Sequence, residues 1–435
     1  MPLQAQSEAA KETFYSKWLI AGGLLVVGFV IGLAFLNSQG TSDRARWLLY
    51  MGLAHANSLR ATYHIAATNG VGGFPTDYPP LGLMVLGVVA RVGGLLGSTD
   101  FVALKVSLLL ATLGCAVLIA VWNGRCRPLL GAAMFGALFA DSMLLAYVDV
   151  YFVLVLLPAL LFLQRGYLAT GTALYAVSIL VKWQPIVLAP FVLFYLLREP
   201  QRVTFATIIR VLAPTTLVLA VVYLLFGNAV IGAFWRGITD LTFSGSALNL
   251  NWLATAAIQW STGELQRDGG VVHTIMVGGY PTIEYISYAL RLMTFVMTLA
   301  YFYFSKRHFT DLLQSSLIGF LCYFMFGSGV HENHALIVAI LALCLVAADG
   351  VGQIQAAVLA AMVNVNLLLF FGLTGTRPDL PRVVFGWDVS IYLSLLNLAI
   401  FAVLWTPAAA AVCRHIAVIW RTASHSYSFD EKPAR

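Results

Sequence analysis

Long apolar runs follow one another along the chain with short polar breaks, at 18–36, 102–122, 128–146, 148–164, 167–181, 185–197, 203–226, 285–304, 311–328, 334–348, 352–372 and 389–410. A helix needs roughly 20 apolar residues to cross a bilayer, so these runs predict twelve membrane spans. A thirteenth run, at 80–97, carries Arg91 and five glycines. That composition suits a helix lying in the outer interface better than one facing lipid. The run at 185–197 is short: at 1.5 Å per residue it reaches only ~20 Å against a hydrocarbon core of ~30 Å. Its outer end is expected below the membrane surface, where irregular backbone is tolerated only around a protein-lined or water-filled cavity. No internal repeat, low-complexity tract or heptad pattern is present.

Parity decides whether 80–97 crosses. If it does, Arg125 and Arg127 in NGRCRP fall outside and every later loop inverts. If it does not, the short inner loops hold Arg125, Arg127, Arg165, Arg198, Arg202, Lys306 and Arg307, and the short outer turns hold only Lys182. The excess of Lys and Arg in cytoplasmic loops selects the second arrangement. The expectation is an all-α polytopic membrane protein, a single membrane domain over 1–435 with both ends cytoplasmic. Its long outer loops are 37–101 and 227–284, with a shorter one at 373–388.

Composition agrees: 60% of the 435 residues are apolar and 10% charged. Soluble domains carry about 45–50% and 25%, so a soluble globular protein, a nucleic-acid binder and a disordered tail are excluded. The formal charge of +6 is read through the loops, as orientation and attraction to anionic lipid. Cys115, Cys126, Cys322, Cys344 and Cys413 lie in or beside apolar runs without a CxxC pair, and read as packing residues. Residues 18–36 follow Lys11 and Lys17 as a signal sequence would, but the run lacks a small-x-small exit and reads as an uncleaved first helix.

Under this topology the unusual polar residues gather on the outer side: Asp43 in TSDRARW, Asp77 in TDYPPL, Asp149 in YVDVYF, Lys182 in VKWQP, and His331 and Glu332 in GSGVHENHALI. An ionisable residue near the bilayer centre costs about 2.5–3.5 kcal/mol on insertion scales, so such a cluster points to a functional cavity. Each residue also has a structural alternative. Asp77 can cap the helix that begins at the prolines, Asp149 and Lys182 can form an ion pair, and Asp43 can be an exposed or capping carboxylate. Arg91 and Lys105 are expected to snorkel to the interface. HENH is not the His-Glu-x-x-His of zinc proteases, because His334 stands at i+3 from His331. Trp235, Phe243, Trp252, Trp260 and Tyr280 can stack on sugars, although an interfacial aromatic belt explains them more simply.

In order and spacing these strings resemble the GT-C superfamily of membrane glycosyltransferases that use polyprenyl-phosphate sugars. Within it they are similar to the dolichyl-phosphate-glucose α-1,3-glucosyltransferases that extend lipid-linked oligosaccharide. Asp43 stands where that family has an acid in its first outer loop, and DYPPL spans Asp77 to Leu81. Asp149 follows, then Lys182-Trp183-Gln184, then VHEN from Val330 to Asn333. The resemblance covers roughly residues 15–345. Asn333 stands where the family has lysine, and Trp183 separates Lys182 from Gln184.

The resemblance implies a GT-C-like bundle with interfacial helices in the first outer loop. It also implies inverting transfer of a hexose such as glucose or mannose, or of a pentose, from a polyprenyl-phosphate donor. The acceptor is a lipid-linked or cell-envelope glycan at the outer membrane face. On this reading Asp43 is the general base and Asp77 a positioning residue or alternate base. Lys182 and His331 hold the donor phosphate, with Arg291 and Arg382 as secondary candidates, and Tyr78, Asp149, Gln184 and Glu332 shape the cavity. A monophosphate leaving group calls for no metal or other cofactor. The partners are donor, glycan or glycolipid acceptor and membrane lipid, with no nucleic acid. The alternatives are a secondary transporter or lipid flippase, which would hold substrate at the midplane, and an O-antigen polymerase or ligase. With no disulfide-bearing luminal domain, a bacterial inner membrane with a periplasmic site is favoured over the endoplasmic reticulum.

Overall fold

The computed structural model describes residues 2–70, 75–197, 204–239, 242–349 and 351–427; Arg198 and Arg202, used in the charge argument, lie outside the described residues. Every apolar run forms helix. α1 is Pro2–Ala34, and the first loop folds into α2 (Asp43–Ala56), α3 (Leu59–Thr68) and α4 (Pro80–Leu95). α5 (Asp100–Ala120) and α6 (Pro128–Phe139) follow, α6 widening into a π-turn at Ala140–Leu144. Next come α7 (Val150–Gln164), α8 (Leu168–Val181), a 3-10 turn at Gln184–Leu188, α9 (Ala189–Leu196) and α10 (Phe205–Phe226). The second loop contains α11 (Asn228–Ile238), α12 (Leu250–Ser261) and α13 (Glu264–Arg267). α14 (Pro281–Phe304), α15 (Phe309–Phe326), a 3-10 turn at Glu332–Ala335, α16 (Leu336–Asp349), α17 (Gln353–Phe371) and α18 (Val389–Tyr427) complete the bundle. The one departure from helix among the described elements is a ribbon of β1 (Val383–Val384) against β2 (Trp387–Asp388).

Among the described residues, seven helices are long and apolar enough to cross a membrane, or eight if the bent pair α10 and α11 counts as one span. Five shorter apolar helices lie at 80–95, 128–144, 150–164, 168–181 and 184–196. The chain is an integral membrane protein. α16 is apolar all round and buried continuously from Leu336 to Ala347, as the central helix of a bundle must be. α15 packs beside it, also largely buried. α10, α14 and α18 instead present large apolar side chains outward, among them Leu224 with 76% of its surface exposed. In water such a surface would drive aggregation; against hydrocarbon it costs nothing.

Contacts place both ends of α4 on one side of the bundle. Its start packs on the end of α8, with Gly82 against the Val181 carbonyl, and its last turn packs on the beginning of α5, with Gly93 against Ala103. Arg91 near that end donates to the carbonyls of Ala54 and Asn57 (3.3 and 2.6 Å), and His55 meets Asp100 at 2.8 Å. The far ends of α5 and α7 meet at the opposite side, where Trp122 Nε1 donates to Gln164 Oε1 at 2.7 Å and Arg127 donates to Val346 O at 2.6 Å. α4 therefore packs beside α2, between the end of α8 and the beginning of α5.

Two expectations fail. Lys105 does not snorkel: it has 0% exposure and donates to the Met143 carbonyl, because the π-turn frees that oxygen inside the packed bundle. Arg91, by contrast, is exposed, as a snorkelling side chain is, and its guanidinium also caps the C-terminal end of α2. The aromatic residues of the second loop are not a uniform belt either. Phe243 and Trp252 are buried, and Trp252 stacks edge-on against Phe370 at 5.3 Å while its Nε1 donates to Ser390 Oγ at 2.7 Å. Trp252 pins the loop to α17 and α18.

The contact at Gly82 yields a prediction. A Cβ there would lie 2.3 Å from the Val181 carbonyl oxygen, which is backbone and must move. Gly82→Ala is expected to lower stability by about 1–3 kcal/mol, as overpacking does, measured as a fall in thermal midpoint in detergent.

Candidate active site

The site is built around the break between α6 and α7. The π-turn and the bend after it, with Ala146 at φ +58°, leave carbonyls pointing away from any helix. Ser38 Oγ donates to Leu144 O at 2.8 Å and the Thr41 amide to Leu145 O at 2.9 Å, so the first loop is stitched to this turn. Gly40 makes that approach possible: it has φ +72°, and a Cβ would sit 2.7 Å from the Leu145 oxygen. Two residues beyond Thr41 the chain turns into α2, whose first residue is Asp43.

The break also starts α7 at Asp149, directly before its first residue, and buries that carboxylate. α8 ends on an extended Lys182, whose ammonium meets Asp149 Oδ1 at 2.6 Å and donates to Tyr78 Oη at 2.8 Å. Asp149 Oδ2 accepts from Asn333 Nδ2 at 2.6 Å, and Tyr147 donates its hydroxyl to Glu332. These contacts join residues 78, 147–149, 182 and 332–333 into one buried network. The ion-pair alternative for Asp149 and Lys182 is thus correct, and it coexists with a place at the site because Lys182 also lines the cavity.

Two aromatic contacts hold DYPPL in place. Trp183 Nε1 donates to the Asp77 carbonyl at 2.8 Å, and Trp47 meets Tyr78 edge-on at 4.7 Å. Asp77 does not cap α4; that position belongs to Pro79, and Asp77 is free to line the cavity. The second loop reaches in through Arg236, which donates to Thr76 O at 2.8 Å and Ala67 O at 3.0 Å. Farther on, Gly245 N donates to Val330 O at 2.8 Å and Glu332 N to Gly245 O at 3.1 Å, so the loop runs beside the VHEN segment. A Cβ at Gly245 would fall 2.2 Å from His331 Nδ1, which explains a glycine under that ring. His331 and His334 meet edge-on with ring centroids 5.5 Å apart.

Together these segments enclose a cavity of about 830 Å³. Asp43, Asp77, Tyr78, Lys182, Gln184, Arg291, His331 and Glu332 all line it. Eight of the ten residues singled out from the sequence therefore converge. Asp149 lies behind Lys182, outside the lining. Arg382 is elsewhere: it binds Asp388 Oδ2 at 2.5 Å and the Val272 carbonyl at 3.0 Å, locking the loop at 373–388 to the loop at 227–284. With a buried carboxylate as its partner, its guanidinium belongs to the architecture. Neither a family model nor a curated protein matches this chain.

Burial pushes the Asp43 carboxyl above the usual range, and Asp77 adds to the rise. Arg46, Lys182 and His331 oppose it. Four segments of chain thus share one electrostatic field. Arg46 was not singled out from the sequence, although its i+3 spacing from Asp43 in a helix start puts both on one face. Tyr147 and Asn333 were missed as network members, and their roles depend on contacts 185 and 184 residues away.

The Lys182–Asp149 pair is testable through its burial. Lys182→Met leaves an unpaired carboxylate and is expected to cost about 3–5 kcal/mol. The double variant Lys182→Met/Asp149→Asn removes both charges and is expected to recover most of that loss in thermal unfolding. Equal midpoints for the single and double variants would show that the two side chains are not coupled.

Proposed function

We propose that this protein is an inverting glycosyltransferase of the GT-C type, taking a hexose from a polyprenyl-phosphate donor to a lipid-linked or cell-envelope glycan. The observation that carries the reading is the meeting of Asp43, Asp77, Lys182 and His331, drawn from across nearly 290 residues, around one cavity. On this reading the chain crosses twelve times with both termini in the cytoplasm, α4 lies in the outer interface, and the cavity opens toward the periplasm of a bacterial inner membrane.

The chemistry needs a base, a phosphate site and access for lipid. An acceptor hydroxyl attacks the anomeric carbon, Asp43 takes its proton, and the bond from that carbon to the phosphate oxygen breaks. The donor phosphodiester carries one negative charge and the departing polyprenyl phosphate gains a second. On this reading Lys182, His331 and Arg291, all lining the cavity, stabilise that gain; Lys182 is already held by the Tyr78 hydroxyl and Arg291 lies over the Tyr288 ring. Asp77 orients the acceptor. α9 has only 8 residues, about 12 Å of helix, and the turn before it contributes Ile186 and Val187 to the cavity. The membrane side above so short a helix supplies a route for a prenyl chain. Ionisable groups crowded at one end of the bundle, instead of at its midplane, favour transfer over transport.

Asp43→Asn keeps shape and hydrogen bonding but removes basicity. Turnover of radiolabelled polyprenyl-phosphate sugar is expected to fall by about 10²–10⁴ with donor binding nearly unchanged. Because burial raises the Asp43 carboxyl and the base acts only when ionised, wild-type activity is expected to fall with decreasing pH already above the ordinary carboxylate range. Near-normal turnover in Asp43→Asn, with loss in Asp77→Asn, moves the base to Asp77.

Topology has its own check. In a background without the five native cysteines, Ser42→Cys is expected to react with an impermeant thiol reagent from the periplasmic side and Asn123→Cys to stay unlabelled. The reverse pattern would invert the protein and remove the site from the donor's side.

A further inference from the structure

A residue with a Cβ enters the left-handed backbone region only at a cost, and it stays there only when its surroundings leave it no alternative. Among the described residues, five non-glycines do so. Asn123 and Arg307 sit in turns between helices, Phe385 at the tip of the ribbon of β1 and β2, and Ala146 in the break after α6. Ser246, at φ +57°, is the one of the five that lines the cavity.

Its backbone is held on both sides. Gly245, before it, is bonded to the VHEN segment through Val330 O and the Glu332 amide, at 2.8 and 3.1 Å. Leu248, two residues on, donates its amide to Asn366 Oδ1 at 2.7 Å, and its carbonyl accepts from Asn397 Nδ2 at 2.9 Å. Asn366 Nδ2 reaches Ser246 O at 3.4 Å and Glu332 O at 3.1 Å, so one buried side chain of α17 joins the two segments of this wall. Such a clasp could hold a glycine equally well and without strain. What serine adds is its hydroxyl.

The two serines around Gly245 differ in what their hydroxyls do. Ser244 is buried and shares its hydrogen between Ala247 O and Asn249 Oδ1, at 3.2 and 3.3 Å. Ser246 is only partly buried, and among the described residues its Oγ has no hydrogen-bond partner. Its backbone pairs with that of His331, whose ring crowds Gly245. Ser246 therefore stands next to the group that the transferase reading gives to the donor phosphate.

We propose that Ser246 is a phosphate-binding residue, whose hydroxyl donates to a non-bridging oxygen of the polyprenyl-phosphate headgroup, and that its left-handed backbone serves to present that hydroxyl beside His331. A phosphate oxygen accepts and a serine hydroxyl can turn to donate. The bond is charge-assisted, and it strengthens as the departing phosphate gains its second charge. This assignment rests on the transferase reading.

The test uses the full-length protein in detergent or nanodiscs and two variants, Ser246→Gly and Ser246→Ala, which lose the same hydroxyl but differ in backbone. Glycine relieves the left-handed conformation and alanine keeps its cost. Both are expected to bind a polyprenyl-phosphate hexose about ten- to hundred-fold more weakly than wild type, as the loss of one hydrogen bond to a charged oxygen requires. Ser246→Gly is nevertheless expected to unfold within a few degrees of wild type. A larger fall in its thermal midpoint would mean that the hydroxyl holds the loop together, and would overturn the proposal. Wild-type affinity in either variant would also overturn it, since a loss in Ser246→Gly alone belongs to a loosened backbone.

Sugar-free polyprenyl phosphate separates phosphate from hexose as the source of the contact. Both variants are expected to lose at least the same factor with it. A loss confined to the sugar-bearing lipid would put the hydroxyl on the hexose and overturn the phosphate assignment. If wild type binds neither lipid, the transferase reading falls and takes the proposal with it. If wild type binds both and the variants match it, the proposal falls alone.

Discussion

A helix that breaks inside a membrane protein exposes carbonyls where no water can reach them, and the break at Ala140–Asp149 is the constraint on which the site depends. Its free oxygens at Met143, Leu144 and Leu145 are taken by Lys105, Ser38 and Thr41 respectively. The partners come from α5 and from the loop after α1, so satisfying the turn fixes where that loop runs. Asp43 follows Thr41 by two residues and is placed by the same hydrogen bonds. A buried lysine used as a backbone cap is costly, but an unsatisfied carbonyl at this depth would also be costly and would leave the loop untied.

The same break presents Asp149 to Lys182. Burying two opposite charges gains little net stability, because their desolvation offsets their attraction. Geometry is the larger consequence. The ammonium is held between a carboxylate and the Tyr78 hydroxyl, and Asp149 is held in turn by Asn333. Three loops distant in sequence can meet in only one arrangement if every one of these groups is to be paired. Trp183 contributes to that arrangement. Standing between Lys182 and Gln184, it reaches the Asp77 carbonyl and ties the DYPPL segment to the end of α8.

Much of this was legible in the chain. Apolar runs mark helices because a backbone in hydrocarbon must bond to itself, and the runs and helices coincide along the described chain. The glycines of 80–97 marked α4 as a closely packed helix, and Gly82 and Gly93 do meet α8 and α5, while Arg91 finds the carbonyls at the end of α2. Other residues misled. Lys105 has the composition of a snorkelling lysine, but its surroundings are set by α6 and the π-turn. Arg382 has the charge of a phosphate ligand and is spent on Asp388. Trp252 looks interfacial in sequence and is buried under α17 and α18.

By itself, the sequence determined that the chain resides in a membrane, which segments are helical, and that its ionisable residues favour one end of the bundle. Those properties follow from hydropathy, length and charge placement, all of which act locally. Only the tertiary structure decided which charged groups face the cavity and which are consumed as caps and ion pairs. That choice depends on donors and acceptors brought together across 100 or more residues, as in Tyr78 with Lys182, Tyr147 with Glu332 and Thr41 with Leu145. A side chain's chemistry is written in the sequence, but its partner and its access to water are properties of the packed bundle.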